Sequence, residues 1–366
     1  MSKFKVIQLL PELNIGGVER GTKDFSKVLV ERGHDSLVIS NGGIFEKDII
    51  EDGGKHINLP IHKKSLFSIR YASDLRDIYL SEKPDIVHVR SRMPAWINYF
   101  AYKKLSHKPL LVSTFHGLYS TPLYSQVMSK VDHIIAISKT VKDYIQGTYK
   151  VPNEKITVIP RGCDPEIFNK NPVEETWIKK WYEEFPQTQD KIILTMPTRI
   201  SKWKGVDSFI DLVNLLDDDN YHALIVGPTA KSKKSYLKQL QNKISNYGIE
   251  DKITITGSRN DISNIYKISD FVFNLSIKPE PFGRTTIEAI SSGSKVIGWN
   301  HGGTKEILEE LYPDGLVELD NIEDLAEKVI NLSNMTNNMP KENIFTSESM
   351  TNQTISLYQD LLAKRL

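Results

Sequence analysis

The 366-residue chain has 39% hydrophobic residues, 25% charged residues and a formal net charge of +1, ordinary globular values that exclude a disordered, collagenous or coiled-coil protein. That length exceeds what one core usually serves and predicts two domains. Apolar runs such as Ile134-Ile135-Ala136-Ile137 fall far short of the roughly 20 residues of a membrane-spanning helix.

The amino-terminal apolar run is too brief for a secretory leader. The single cysteine, Cys163, forms no internal disulfide, so a cytoplasmic setting is expected. Cys163 lies in Pro160-Arg161-Gly162-Cys163-Asp164 without a local base, and reads as a packing residue rather than a nucleophile. The small net charge conceals an asymmetry. Residues 1–160 carry a net +7 and the remainder −6, and residues 55–110 alone hold 11 basic against 4 acidic side chains.

In chain order, short apolar runs of strand length alternate with longer helical patterns. Strands are expected over 5–10, 37–40, 86–89, 110–114 and 133–137, with helices between them, the first over 18–32. After an apolar run over 156–159 that ends in a turn-rich cluster over 160–165, the alternation restarts, with strands over 192–196, 223–226, 253–256, 271–275 and 295–298. Helices are expected over 206–216, 236–247, 262–269, 285–292 and 304–311. Continuous apolar strands separated by helices predict parallel sheets buried on both faces. The expected fold is therefore α/β, with two Rossmann-like, doubly wound domains facing an interdomain cleft. Domain one is read as 1–165 and domain two as 166–346, with a last helix over about 347–366 whose packing partner, the first domain or the second, stays open.

Open α/β sheets bind ligands beyond the carboxyl ends of their strands, so the loops after strands carry the candidate chemistry. After the first strand, Gly16 and Gly17 precede a helix and allow an anion to approach its amino end. Their spacing is neither that of dinucleotide binders nor that of P-loops. His116, in Ser113-Thr114-Phe115-His116-Gly117, ends another strand. In the second half, Arg199 and Lys204 lie five positions apart before Gly205 and a helix. A forked guanidinium and a point-charge ammonium there suit a diphosphate.

The segment Glu280-Pro281-Phe282-Gly283-Arg284-Thr285-Thr286-Ile287-Glu288 places two carboxylates eight residues apart. Between them, the backbone N–H groups of Phe282, Gly283, Arg284 and Thr285 form an anion nest at a helix start. The pattern fits a sugar on one side of a phosphate and a ribose on the other. Asp217-Asp218-Asp219 precedes a strand and reads as a solvated turn, and no His/Cys cluster has zinc spacing.

Together these motifs resemble the retaining nucleotide-sugar glycosyltransferases of family four, the group 1 glycosyltransferases, which have the GT-B fold. The resemblance runs through Gly16-Gly17-Val18-Glu19-Arg20, Phe115-His116-Gly117, Arg199 with Lys204-Gly205, Glu280 to Glu288, and His301-Gly302-Gly303-Thr304-Lys305-Glu306. It implies that Gly16 and Gly17 lie near the donor phosphates and that His116 faces the donor sugar. By the same resemblance Arg199 and Lys204 hold the diphosphate, Glu280 the sugar hydroxyls and Glu288 the ribose. Phe282, Gly283, Arg284 and Thr285 support sugar and phosphate, and Arg259 lies near the base. The family usually has Asn at the position of Arg161 and often an apolar residue at that of Arg284. Both departures add positive charge suited to an acidic acceptor. A narrower likeness, carried by Val89-Arg90-Ser91-Arg92-Met93-Pro94-Ala95-Trp96, is to bacterial lipopolysaccharide core transferases, some of them mannosyltransferases.

The implied activity is transfer of a hexose from GDP-mannose or a UDP-sugar to a lipid-linked or lipopolysaccharide core or surface-polysaccharide acceptor. The implied transfer retains the anomeric configuration and needs neither metal nor cofactor. Alternatives on the same fold are a nucleotide-sugar 2-epimerase and a non-catalytic donor-binding partner. The basic segment Ile61-His62-Lys63-Lys64-Ser65-Leu66-Phe67-Ser68-Ile69-Arg70-Tyr71 interleaves cations with apolar residues. An anionic lipid surface attracts such a face by about 1 kcal/mol per cation, so peripheral contact with the inner face of the cytoplasmic membrane is expected. Nucleic acid is not an expected partner, because no binding motif is present and the chain is neutral overall.

Overall fold

The computed structural model of the chain describes residues 3–335 and 337–365; Met1, Ser2, Thr336 and Leu366, the last residue of the expected final helix, lie outside the described residues, as does the side chain of Leu66. The chain divides into two compact α/β units, residues 3–160 with 350–365, and residues 161–349.

The first unit holds seven strands: β1 (Lys5–Leu9), β2 (Asp35–Ser40), β3 (Lys55–Asn58), β4 (Ile86–Val89), β5 (Leu110–Phe115), β6 (His133–Ala136) and β7 (Ile156–Val158). They pair in parallel in the order β3-β2-β1-β4-β5-β6-β7. Every residue of β4, β5 and β6 is buried, as a sheet covered on both faces requires. The helix Gly17–Glu31 buries Thr22, Phe25, Ser26 and Leu29, spaced as one helical stripe. Phe25 and Leu29 join Val6, Ile86, Val112 and Ile135 in a core that also takes Ile355 and Tyr358 of the final helix, Ser347–Ala363.

The second unit holds six strands: β8 (Ile192–Pro197), β9 (Tyr221–Val226), β10 (Ile253–Gly257), β11 (Phe271–Asn274), β12 (Lys295–Trp299) and β13 (Leu316–Val317). All are parallel, in the order β10-β9-β8-β11-β12-β13. Two strands escape the apolar pattern for physical reasons. Lys55-His56-Ile57-Asn58 sits at a sheet edge, where only the His56 side chain is turned fully inward, and β13 is two residues long. The three aspartates at 217–219 form an exposed turn in which Lys252 pairs with Asp217 at 3.4 Å and Asp219 at 3.0 Å. Among the described residues no helix is long and apolar enough to cross a membrane.

Candidate active site

In the second unit the strand order reverses between β8 and β11, the switch point at which open α/β sheets open a crevice. β8 runs into residues 198–205 and β11 into residues 275–283, so both loops leave the sheet at the same end. The first loop returns on a short 3₁₀ turn, Lys202–Lys204, and at Gly205 adopts φ +77° before the helix Val206–Leu216. A Cβ at Gly205 would collide with the carbonyl of Leu275, so only glycine lets this helix start abut the end of β11. The Ile277 N–H then donates to the Trp203 carbonyl at 2.9 Å, tying the two loops together.

This tie brings Lys204 to Glu280. The ammonium donates to Glu280 Oε1 in an ion pair whose side chains are only 19% and 11% exposed. Ser276 Oγ donates to the same oxygen at 2.6 Å. No donor among the described residues reaches Glu280 Oε2. The loop bearing Glu280 is pinned from behind by the start of helix Gly302–Leu311. There Gly303 N–H donates to the Glu280 carbonyl at 2.7 Å, and His301 Nε2 lies 2.6 Å from the Ser276 carbonyl. Arg199, just past β8, is exposed and makes no ion pair among the described residues.

Past Glu280 the chain buries Phe282, whose ring meets Phe345 edge-on at 5.9 Å, and turns at Gly283 with φ +99° into the helix Arg284–Ser291. Thr285 and Lys204 line one small pocket with Met196, Asn274 and Ser276. Glu288, one helical turn after Arg284, is buried and accepts from Arg284 Nη2 at 3.0 Å. The Arg284 cation is thus directed onto Glu288 instead of projecting as a free charge. Tyr266, wholly buried, also faces Glu288. Burial, with the Glu288 charge beside it, drives the phenol pKa well above its usual value, so Tyr266 stays a proton donor.

Arg259 lies apart from this cluster. Its Nη1 bridges both oxygens of Glu184 at 2.9 and 3.0 Å, its Nε and Nη2 reach Asp261, and the guanidinium packs on Trp181 and Phe185. The clamp joins helix Glu175–Glu184 to the loop after β10. Cys163 is buried, 3.2 Å from both Ser291 Oγ and Asn343 Nδ2, and burial raises its thiol pKa, as suits a packing residue.

In the first unit, Gly16 and Gly17 follow β1 and start the helix Gly17–Glu31. Gly16 is extended, with φ 178°, and the Glu19 carboxylate is the side chain nearest to it. His116 follows β5, half-buried, its N–H 3.4 Å from the Tyr119 hydroxyl.

Two family descriptions match successive parts of the chain: Glycosyltransferase Family 4 over residues 15–167 and Glycosyl transferases group 1 over residues 178–347. A solved glycosyltransferase from Rickettsia africae is 30% identical, with a TM-score of 0.85 over 99% of both chains. The chain belongs to the group 1 glycosyltransferases. This glycosyltransferase is also 24% identical to the N-acetyl-alpha-D-glucosaminyl L-malate synthase of Bacillus anthracis, over 95% of each chain. At 20% identity it shares its fold with Anabaena HepE, solved with UDP and glucose, at a TM-score of 0.77 over 98% of this chain and 100% of that one. Its two parallel-sheet units are those of the GT-B fold.

Of the sequence-expected positions in this glycosyltransferase, the structure gathers Lys204, Glu280, Phe282, Gly283, Arg284, Thr285 and Glu288 around one strand end. Among the described residues no group of three His, Cys, Asp or Glu side chains is placed to hold a metal ion. Sequence reading passed over Ser276 and Tyr266. A hydroxyl four residues before Glu280 was the only available signal for Ser276. Nothing local marks Tyr266, which reaches Glu288 from another helix.

Proposed function

We propose that the protein is a retaining, metal-independent hexosyltransferase that moves a sugar from GDP-mannose or a UDP-sugar to a hydroxyl of a lipid-linked or lipopolysaccharide core or surface-polysaccharide acceptor. The second unit binds the donor and the first serves the acceptor. The observation carrying this reading is the Lys204–Glu280–Ser276 cluster at the β8/β11 switch point. One oxygen of Glu280 is held by protein donors while Oε2 is left to accept from sugar hydroxyls. Lys204 keeps two further N–H donors for the diphosphate. Charge growing on the leaving diphosphate is met by Arg199, by Lys204 and by the helix start at Gly283. The departing phosphate takes the acceptor proton on the face it leaves, and Glu280 orients the sugar without becoming a covalent nucleophile. Glu288 holds the ribose, with Tyr266 fixing its carboxylate. Gly16, Gly17 and His116 are the first unit's candidate contacts to the donor phosphates and sugar.

The UDP and glucose bound by HepE and the acetylglucosaminyl name of the Bacillus anthracis relative support a nucleotide-sugar donor. A thermal-shift panel of UDP, GDP, ADP and their sugars tests it, and one base should stabilise the protein selectively. NMR of the product then reads its anomeric configuration. Inversion, or a changed nucleotide sugar formed without any acceptor, would overturn the reading. The basic first unit brings the enzyme to an anionic membrane where such an acceptor lies.

A further inference from the structure

The helix Arg92–Lys103 buries Met93, Pro94, Ala95, Ile97, Asn98 and Ala101 against the first unit. What remains on its outer side is a stripe: Arg92, Trp96, Tyr99, Phe100 and Lys103. At the helical pitch these five fall within an arc of about 100°. Phe100 and Lys103 are exposed and Arg92, Trp96 and Tyr99 half-buried; where the outer stripe of a helix is normally polar, this one is three aromatics between two cations. The helix packs against both the short turn Leu66–Tyr71 and the turn Gln126–Ser129. Phe67 in the first turn is 84% exposed, and Leu123, beside the second, is 87% exposed. Contacts knit the patch together. Trp96 Nε1 donates to the Tyr124 carbonyl at 2.9 Å, and Lys103 and Lys130 sit over the Tyr99 ring at 4.5 and 5.1 Å.

Charge identifies the occupant. Segments 61–71, 92–108 and 121–130 together hold eight Lys and Arg residues and not one Asp or Glu. An apolar patch that packs a second copy of itself would set these cations against each other. Aromatic rings ringed by Lys and Arg are instead the composition that settles at the headgroup level of a bilayer. We infer that this face docks on an anionic lipid surface, with Phe67, Phe100 and Leu123 entering the interface and Lys103, Lys130 and their neighbours facing the headgroups. The inference deepens the membrane part of the proposed function and rests on it. It moves the contact from the segment 61–71 alone to a surface centred on helix Arg92–Lys103.

The test is co-sedimentation of the full chain with vesicles of phosphatidylcholine alone or mixed with phosphatidylglycerol. Three proteins are compared: wild type, F67S/F100S/L123S, and K103E/K130E. Wild type should bind only the anionic vesicles and release in about 0.5 M salt, where the Debye length falls to a few ångströms. Each variant should bind about tenfold more weakly while keeping the wild-type melting temperature and its stabilisation by nucleoside diphosphate. That retained stabilisation separates failure here from failure of the transferase reading. Wild-type binding that ignores lipid charge, no binding at low salt, or variants that bind like wild type would each overturn the inference. So would a wild-type dimer in light scattering that F67S/F100S/L123S abolishes, because a second copy would then be the occupant.

Discussion

Lys204 Nζ and Ser276 Oγ converge on a single oxygen of Glu280, although 72 residues of chain and a whole helix–strand–helix–strand–helix–strand passage separate the two donors. Removing the ammonium leaves a mostly buried carboxylate with one neutral donor, and removing the carboxylate strands the ammonium. Lys204→Met and Glu280→Met should each destabilise the second unit by about 1–3 kcal/mol. The double variant should cost less than the sum, the mark of direct coupling. Glu280→Gln keeps an acceptor for Ser276 and should recover part of that stability. Transfer should nonetheless fall by orders of magnitude in Glu280→Gln, because the sugar-facing oxygen or its charge is lost. Denaturant melts and initial rates on the same four proteins decide the matter. Near-normal transfer by Glu280→Gln would remove Glu280 from the mechanism.

The pairing of Arg284 with Glu288 predicts an asymmetry between the two residues. An i, i+4 pair whose cation is 43% exposed contributes only about 0.3–0.5 kcal/mol. Arg284→Gln should therefore change nucleotide affinity by no more than about twofold to threefold. Glu288→Gln replaces a charged acceptor of ribose hydroxyls and should weaken nucleotide binding by about tenfold or more. Isothermal titration of both variants with the nucleoside diphosphate found in the thermal-shift panel checks this. Equal losses would place Arg284 on the phosphates and Glu288 elsewhere.

The fold class was legible in the sequence because strands buried on both faces leave continuous apolar runs, as at Ile134-Ile135-Ala136 and Val272-Phe273. β3 was not, since an edge strand with His56 and Asn58 has no such run. Lys204, Glu280 and Glu288 stood out because each falls at a strand end beside a glycine or a helix start. Their pairings did not, because Lys204 meets Glu280 only through the Gly205–Leu275 approach and the Ile277–Trp203 hydrogen bond. Sequence spacing likewise left the Arg259 side chain open to a ligand. Its clamp on Glu184 and Asp261 depends on a helix 75 residues earlier in the chain. The outward aromatic stripe was hidden for a related reason. Trp96, Tyr99 and Phe100 are interleaved in the chain with Met93, Ile97 and Ala101, which take the inner face of the helix.

The final helix closes the first unit's core through a polar contact. Tyr358 Oη lies 2.5 Å from His88 Nδ1, while His88 Nε2 lies 2.6 Å from Thr114 Oγ1. Arg90 joins the same buried layer, with Nε donating to Gln8 Oε1 at 2.9 Å, and burial lowers its pKa to about 10. Tyr358→Phe removes one partner of this chain without changing the ring's packing on Phe4 and Phe25. It should cost about 1–3 kcal/mol. Ending the chain before Ser347 also removes Ile355 from the core and should cost several kcal/mol more. Hydrogen exchange at β1, β4 and β5 should report both losses, with β8 and β9 unaffected. A Tyr358→Phe protein as stable as wild type would show that the hydroxyl is satisfied elsewhere.

Acid stability of the second unit should depend on His222. The imidazole is 2% exposed on β9, with Nε2 2.8 Å from Thr254 Oγ1, and burial lowers its pKa to about 4. Unfolding returns it to its ordinary value of about 6.5. Below that pH the unfolded chain binds a proton that the native state refuses, so stability falls as pH drops from about 6.5 to about 4. At the low end the loss approaches roughly 3 kcal/mol, and above about 7 the group contributes none of this dependence. His222→Gln retains a hydrogen-bonding amide at the strand position without a titrating group. Its melting temperature should therefore decline less steeply than wild type between about pH 6.5 and pH 4.5, even if it starts lower. The buried His34, His56 and His133, whose pKa values burial also lowers, belong to the first unit, so the comparison must be read on the second unit's transition. Parallel acid slopes for the two proteins would mean that His222 accepts its proton in the folded state at little cost.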